Sequence, residues 1–139
     1  MTEKLCRVGT TYIPVTDVKA SADWYVSKLG AELSYQNQGK AIINLADQSL
    51  FLVKAKEGQT SNFIDANGKV RFSLTFEVDG LSALENMHHD FINKGIKVDE
   101  IENRGHAGRN FVFEDLDGNR FDVWSELSMK FKEKYFNRH

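Results

Sequence analysis

The fold of this 139-residue chain is decided by a pattern that occurs twice. Residues 8–30 read VGTTYIPVTDVKASADWYVSKLG, and residues 70–95 read VRFSLTFEVDGLSALENMHHDFINKG. Each copy begins with an alternating strand, reaches an Asp, continues as an amphipathic helix and ends at a Gly. The two aspartates, Asp17 and Asp79, are separated by nearly the same interval as the two glycines, Gly30 and Gly95. This agreement indicates an internal duplication.

Each helix is followed by strand-like segments separated by turn residues. In the first copy the strands are predicted at 31–36, 40–45 and 49–54, and in the second at 96–102, 110–114 and 120–125. Asp47-Gln48 and Asp117-Gly118-Asn119 have the composition of hairpin turns. Each half therefore reads β-α-β-β-β, which predicts an α+β fold of two tandem modules.

The whole chain, residues 1–139, is predicted to form one domain with an internal repeat. Its parts are a first module at about 7–55, a polar glycine-bearing linker at 56–69, a second module at about 70–126 and an amphipathic helix at 127–137. The Asn67-Gly68 pair predicts a turn at the end of the linker.

Alternation along the first strand of each module separates an apolar face from a mixed one. Ile13 and Val15 oppose Thr10 and Tyr12, and in the second module the apolar set is Phe72, Leu74, Phe76 and Val78. The helices repeat apolar residues at helical spacing, at Val18, Ala22, Tyr25 and Leu29 and at Leu81, Leu84 and Phe91, with His88 in the same row. We expect the helices to cover the apolar faces, with His88 packed rather than ligating.

Composition narrows the functional classes. The chain is 41% hydrophobic and 27% charged, and its net charge of −2 provides no cationic field for nucleic acid. Cys6 is alone, which excludes an intramolecular disulfide and favours a reducing compartment. Uncharged stretches are much shorter than the ~20 residues of a membrane-spanning helix. We therefore expect a cytoplasmic protein with neither a nucleic-acid nor a membrane partner.

Two motifs carry a resemblance to a known family. VTDVKASADWYVSKLG (15–30) and FEDLDGNRFDVW (113–124) resemble the vicinal oxygen chelate superfamily, which includes glyoxalase I, bleomycin-resistance proteins, extradiol dioxygenases and fosfomycin-resistance enzymes. The likeness covers residues from about 7 to 126, with Leu116 where the family usually has proline. It implies that the modules form one cupped, pseudo-symmetric sheet, and that the protein forms a homodimer.

The resemblance also implies where a divalent metal would bind. The corresponding positions here are Thr10, Phe51, Ser73 and Asp122. Only Asp122 is a good ligand, because neutral hydroxyls are weak donors and Phe has none. We therefore expect neither a metal nor another cofactor.

The remaining candidate residues suit contacts with a small molecule. Tyr12, Phe51 and Trp124 would provide aromatic surface, and Thr10, Ser73, Thr75, His106 and Arg109 would provide polar contacts. Asp122 could act as a general base or as a hydrogen-bond acceptor, or could be ion-paired with a neighbouring Arg. His106 lies in a glycine-rich loop that could close over a bound molecule or simply be exposed, and Arg109 could instead form a surface salt bridge.

Three functional hypotheses follow. The first is a metal-free protein that binds a small organic molecule in the cup, as the bleomycin-resistance branch does. The second is a metal-dependent glyoxalase-like lyase, isomerase or dioxygenase, with Asp122 joined by His106 or by ligands of a second subunit. The third is an interaction module whose cup is filled by its own side chains.

Overall fold

Each copy of the repeat folds into its own unit, and the chain divides between the two after Thr60. The computed structural model describes residues 2–136. The strands and helix of the N-terminal unit are β1 (Thr10–Val15), α1 (Val18–Leu29), β2 (Glu32–Gln36), β3 (Lys40–Leu45) and β4 (Gln48–Lys54). They form a sheet of order β1-β4-β3-β2, in which β1 and β4 are parallel and the other neighbours antiparallel. The predicted β-α-β-β-β order is confirmed here.

Local chemistry fixes both ends of α1 as the sequence predicts. The Asp17 side chain accepts a hydrogen bond from the Ala20 N–H at 3.0 Å, which caps the helix. Gly30 ends it in the left-handed conformation, with φ of 73°. The helix buries Val18, Ala22 and Tyr25 against the apolar face of the sheet.

The C-terminal unit contains two additional short strands and ends in a helix. Its elements are β5 (Phe63–Ile64), β6 (Val70–Arg71), β7 (Thr75–Glu77), α2 (Leu81–Asn93), β8 (Asn110–Glu114), β9 (Arg120–Trp124) and α3 (Met129–Phe136). Strand β9 lies between β7, to which it is parallel, and β8, to which it is antiparallel. The core of this unit includes Leu84, Phe91, Phe111, Phe113, Phe121 and Val123. Both units are thus α+β. In each main sheet the last strand, β4 or β9, lies between the first strand and the strand that precedes it in the chain.

Two strands predicted for the second module are interrupted. The 96–102 segment forms only two bridges, Val98 with Phe113 and Glu102 with Asn110. The bridges span one residue more on the 98–102 side than on the facing strand, so the ladder bulges between them. The 70–78 segment is divided because its first residues pair with β5 instead of with the main sheet.

The divided strand has a local cause in the predicted linker. The Asp65 carboxylate accepts hydrogen bonds from the N–H groups of Asn67 and Lys69, which closes a turn between β5 and β6. The predicted turn at Asn67-Gly68 lies inside this hairpin, and Gly68 has a φ of 81°. The 56–69 segment is therefore not irregular throughout.

Three smaller predictions need correction. The turn after β3 is Ala46-Asp47 rather than Asp47-Gln48, because Gln48 already pairs with Leu45. Leu81 is 47% exposed and lies outside the buried stripe of α2, which starts at Leu84. The C-terminal helix starts at Met129, after Glu77 accepts a hydrogen bond from the Ser128 N–H. The last residue predicted for this helix, 137, lies outside the described residues.

His88 is packed, as predicted. Its Nε2 lies 2.9 Å from the Asp99 carbonyl oxygen, and its ring contacts the edge of Phe111 with centroids 4.9 Å apart.

None of the helices within residues 2–136 has the length and apolar character required to cross a bilayer.

Candidate binding site

The sheet of the N-terminal unit has one face beneath α1 and one face that the helix leaves open. Ile13, Ile43, Leu50 and Leu52 fill the helix side and are almost completely buried. On the other side the register aligns one residue from each strand, in the order Tyr12, Phe51, Ile42 and Tyr35. We call this set the aromatic row. It crosses the full width of the sheet.

The aromatic row is accessible. Tyr12 is 65% exposed and Tyr35 is 48% exposed. Both side chains are large and amphipathic. The rings of Tyr12 and Phe51 lie 5.2 Å apart between centroids at an angle of 58°. Such a surface offers π-faces and phenolic hydroxyls to a planar molecule. Thr10 lies two residues before Tyr12 on β1, opposite Ser49 on β4, and is half-buried.

Tyr35 joins the row because β2 is irregular. The register pairs Leu33 with Ile43 and Tyr35 with Ile42, so an extra residue lies on β2 between the two pairs. A bulge of this kind places two residues that are two apart on opposite faces of the sheet. The sequence pattern indicates Tyr12 and Phe51 as site residues but not Tyr35 and Ile42, since simple alternation gives no sign of the bulge.

In the C-terminal unit, Asp122 lies at the centre of a polar network on β9. Its side chain is buried, with 3% of the residue exposed. Its Oδ2 accepts hydrogen bonds from the Thr75 hydroxyl at 3.1 Å and from the Asn110 amide at 2.9 Å. The register places Thr75 directly beside Asp122, so β7, β8 and β9 each contribute one member.

The charge of Asp122 is balanced by Arg104, which sequence analysis did not single out. Arg104 Nη2 lies 3.1 Å from Asp122 Oδ1 and 3.5 Å from a Glu102 carboxylate oxygen. The N–H directions do not give a hydrogen bond to Oδ1, so the pair is held by charge rather than by a well-aligned bond. The guanidinium also lies over the Phe72 ring, 5.6 Å from its centroid. This geometry agrees with the alternative in which Asp122 is ion-paired with a neighbouring Arg.

The two serine and threonine candidates of this unit lie in different places. Thr75 contacts Asp122, whereas the Ser73 hydroxyl donates to the Ser61 carbonyl oxygen at 3.1 Å. Ser73 is exposed between β6 and β7. The Ser73 hydroxyl is therefore bonded to the backbone, whereas the Thr75 hydroxyl is bonded to the carboxylate.

The glycine-rich loop at 103–109 is attached to the end of β9. The Trp124 indole N–H donates to the Ala107 carbonyl oxygen at 2.9 Å, and the Arg109 N–H donates to the Ser125 hydroxyl at 2.8 Å. The His106 ring lies edge-on to Trp124 at 5.9 Å, and its Nδ1 is 2.8 Å from the same Ala107 oxygen. These contacts bring His106 and Trp124 together and place the Arg109 backbone beside Ser125.

Comparison with known proteins identifies the family. A family model described as the glyoxalase/bleomycin resistance protein/dioxygenase superfamily matches residues 7–123. The chain belongs to this superfamily. A comparison with curated protein sequences finds no match.

Solved structures of other superfamily proteins share the fold. Lactoylglutathione lyase from Agrobacterium tumefaciens is 19% identical, with a TM-score of 0.69, and the match covers 88% of this chain and 95% of that one. The fosfomycin resistance protein FosX from Listeria monocytogenes is 12% identical, with a TM-score of 0.72 and coverage of 91% and 98%. An antibiotic-binding protein from a Streptomyces species is 22% identical, with a TM-score of 0.67 and coverage of 88% and 98%. Likeness at these identities shows the fold alone.

Metal binding within the superfamily raises the question of whether this chain's residues suit a divalent ion. FosX from Listeria monocytogenes has been crystallised with Mn(II). The four positions that the resemblance predicts for metal ligands are Thr10, Phe51, Ser73 and Asp122, and only the last is a carboxylate. That carboxylate already accepts two hydrogen bonds, and a guanidinium 3.1 Å away would repel a second cation. Within residues 2–136 no three His, Cys, Asp or Glu side chains are grouped to hold a metal. These residues do not fit a divalent ion.

Proposed function

We propose that this protein binds a small organic molecule through its side chains, without a metal. The aromatic row of the N-terminal unit carries the proposal. Two exposed tyrosines beside a half-buried Phe51 leave apolar surface in contact with water, and such surfaces commonly mark binding sites. Tyr12 and Phe51 are the stacking residues in this proposal, with Thr10 at the edge of the row.

In the C-terminal unit, taken by itself, we propose a second set of ligand contacts. Trp124 and His106 provide aromatic surface beside the 103–109 loop, and Ser73, Thr75 and Arg109 provide hydrogen-bonding groups. Asp122 has the role of holding Thr75, Asn110 and Arg104 in place, because its contacts are already made within the protein. A metal-dependent reaction at Asp122 would first require Arg104 to leave, and then the loss of the Thr75 and Asn110 bonds.

The antibiotic-binding protein from Streptomyces gives a precedent for the binding of an organic molecule by a protein of similar fold. Its TM-score of 0.67 supports comparison of the architecture and says nothing of the ligand taken by this chain. In our proposal sequestration is the whole activity. It requires shape, stacking and a few polar groups, which this chain has, and no activated nucleophile or Lewis acid.

Location and assembly form part of the same proposal. An exposed, unpaired thiol at Cys6 suits a reducing cytoplasm. Homodimer formation follows from the superfamily resemblance, and light scattering coupled to size-exclusion chromatography would test it through the measured mass.

A neutral aromatic probe tests the function. We would titrate 2-naphthalenemethanol into protein treated with a chelator and follow the probe's fluorescence. Saturable binding is expected, and the Tyr12→Ala/Phe51→Ala double variant should bind about tenfold more weakly because the stacking surface is lost. Phe63→Ala is the matched control, since Phe63 is an exposed aromatic on β5 outside the row. Binding that appears only after Mn(II) is added, and that Asp122→Ala abolishes, would contradict the proposal.

A further inference from the structure

Lys40 is placed to select the charge of the molecule that lies on the aromatic row. From its geometry we infer that the ligand is an aromatic anion, whose ring stacks on the row while its carboxylate, sulfonate or phenolate oxygen meets the Lys40 ammonium. This inference rests on the proposed function and adds to it the chemical class of the ligand.

The position of Lys40 is set by the sheet. It is the first residue of β3 and lies opposite Val53, two residues before Ile42 of the row. Residues two apart on a regular strand share a face, so Lys40 is on the open side of the sheet with the row. Its side chain is half-buried, and the ammonium nitrogen lies 5.7 Å from the Phe51 ring centroid and 5.9 Å from that of Tyr35.

The surroundings of this ammonium are aromatic rather than acidic. Some lysines of the chain have a carboxylate partner, such as Lys19 with Asp23 at 2.9 Å and Lys94 with Asp90 at 2.9 Å. Within residues 2–136 Lys40 forms no ion pair, and its charge is compensated only by the faces of two rings. Cation–π attraction provides only part of what a carboxylate provides. The ammonium therefore has no negatively charged partner among residues 2–136.

A planar anion would supply that charge. A ring resting on Tyr12 and Phe51 directs a substituent along the row towards the ammonium, since Phe51 contacts both the Tyr12 ring and Lys40. The anionic oxygen then gains a charge-assisted hydrogen bond in a setting partly shielded from water. A ligand with a cationic substituent would face like-charge repulsion, so the same lysine excludes it.

Two matched probes separate this inference from the proposed function. We would compare 2-naphthoate with 2-naphthalenemethanol, which differ mainly in charge, using the wild-type chain and the Lys40→Met, Lys40→Arg and Lys54→Met variants. Lys54 is the matched control because it lies on the same sheet, opposite the buried Val15, and lines an open groove at the start of α1. Circular dichroism would check that each variant is folded.

We expect the wild type to bind naphthoate about fivefold more tightly than the alcohol at low salt, with the preference falling as salt rises. Lys40→Met should bring the ratio to about one, Lys40→Arg should retain it, and Lys54→Met should leave it unchanged. An unchanged ratio in Lys40→Met, or a ratio lost in Lys54→Met, overturns the inference. Equal binding of both probes by the wild type also overturns it while the proposed function stands. Failure of both probes to bind overturns the two together.

Discussion

The two units use the same backbone position for opposite chemistry. In each unit the first and last strands are parallel neighbours, and the register places Tyr12 beside Phe51 in one and Thr75 beside Asp122 in the other. The first pair is two aromatic rings 5.2 Å apart, and the second is a hydroxyl donating to a carboxylate at 3.1 Å. The two units therefore share a strand register but differ in the residues at the paired position. In one unit these residues form a stacking surface, and in the other they form an internal polar network.

Burial separates the two positions further. Tyr12 is 65% exposed, whereas Asp122 is 3% exposed and bound on several sides by its own protein. Its charge is paired and its Oδ2 already accepts two hydrogen bonds, so this side chain contributes mainly to the stability of its unit. An exposed ring has surface that can still contact a ligand. We therefore expect substitutions in the C-terminal pair to affect stability and substitutions in the N-terminal pair to affect binding.

Removal of the buried carboxylate should change the free energy of unfolding more than any other substitution proposed below. Asp122→Ala should lower the free energy of unfolding by about 3 kcal/mol, because it leaves the Asn110 amide without an acceptor and the Arg104 charge without its buried partner. Urea denaturation followed by circular dichroism would measure it. Glu102→Gln is the matched control, since it removes the exposed carboxylate of the same arginine and should cost less than about 1 kcal/mol. Equal effects of the two variants would break the distinction between the units.

The second effect concerns the loop on β9. Gly108 has a φ of 77°, and a Cβ there would lie 2.6 Å from the Ser125 hydroxyl and 2.9 Å from the Trp124 indole nitrogen. Gly108→Ala should therefore destabilise the protein by about 2 kcal/mol and loosen the loop from Trp124.

Gly39, before β3 in the N-terminal unit, is the control for Gly108. A Cβ there would lie 3.7 Å from an Asn37 side-chain oxygen, which is ordinary contact. Thermal unfolding monitored by tryptophan fluorescence compares the two alanine variants. A Gly39→Ala variant as unstable as Gly108→Ala would show that the close approach is not the cause.

The third effect has the opposite sign and lies in the N-terminal unit. Ala46 and Asp47 have φ values of 52° and 63°, which are unfavourable for residues with a Cβ. Ala46→Gly should stabilise the protein by up to about 1 kcal/mol, because the turn after β3 already requires this conformation. The midpoint of urea denaturation would report the change. The corresponding turn after β8 already has glycine at Gly118, with φ of 83°, so Gly118→Ala should be destabilising.

The smallest effect is a pH dependence of the β5–β6 hairpin, which occurs in the C-terminal unit. Backbone hydrogen bonds, first from Lys69 and then from Asn67, together with the nearby Arg71 and Lys69 charges, lower the pKa of Asp65 despite the opposing effect of burial. A lowered pKa in the folded state gives stability that is present above the ordinary carboxyl pKa and is lost as the pH falls through the folded value. Carboxyl NMR shifts of Asp65 should report the low titration, and Asp65→Asn should abolish the hairpin's response to acid. Titration at the ordinary value would contradict this account.

Local signals predicted much of the fold because they act between near neighbours. Strands 40–45 and 110–114 match β3 and β8, since alternation and turn residues lie within each segment. The caps of α1 also depend on residues only a few positions apart. The errors occurred where the pairing partner, rather than the residues of the segment itself, decides the structure. Residues 70–71 pair with β5, and the 96–102 segment bulges against β8.

The candidate site divides in the same way. Tyr12, Thr75 and Asp122 could be selected from the sequence because each lies on a strand whose opposite face is apolar. Phe51 was selected through the superfamily resemblance, as was Asp122. Tyr35, Lys40 and Arg104 could not be selected, because their contacts depend on a bulge in β2, on the alignment of four strands and on the path of a loop.

The duplication, the α+β class, the superfamily resemblance and the scarcity of metal ligands are all properties of residue type and spacing. Folding is needed to pair Asp122 with Arg104 and to place Lys40 against two aromatic rings without a carboxylate. The physical reason is that charge compensation depends on distances between side chains far apart in the chain, and these distances are fixed only when strands pair in register.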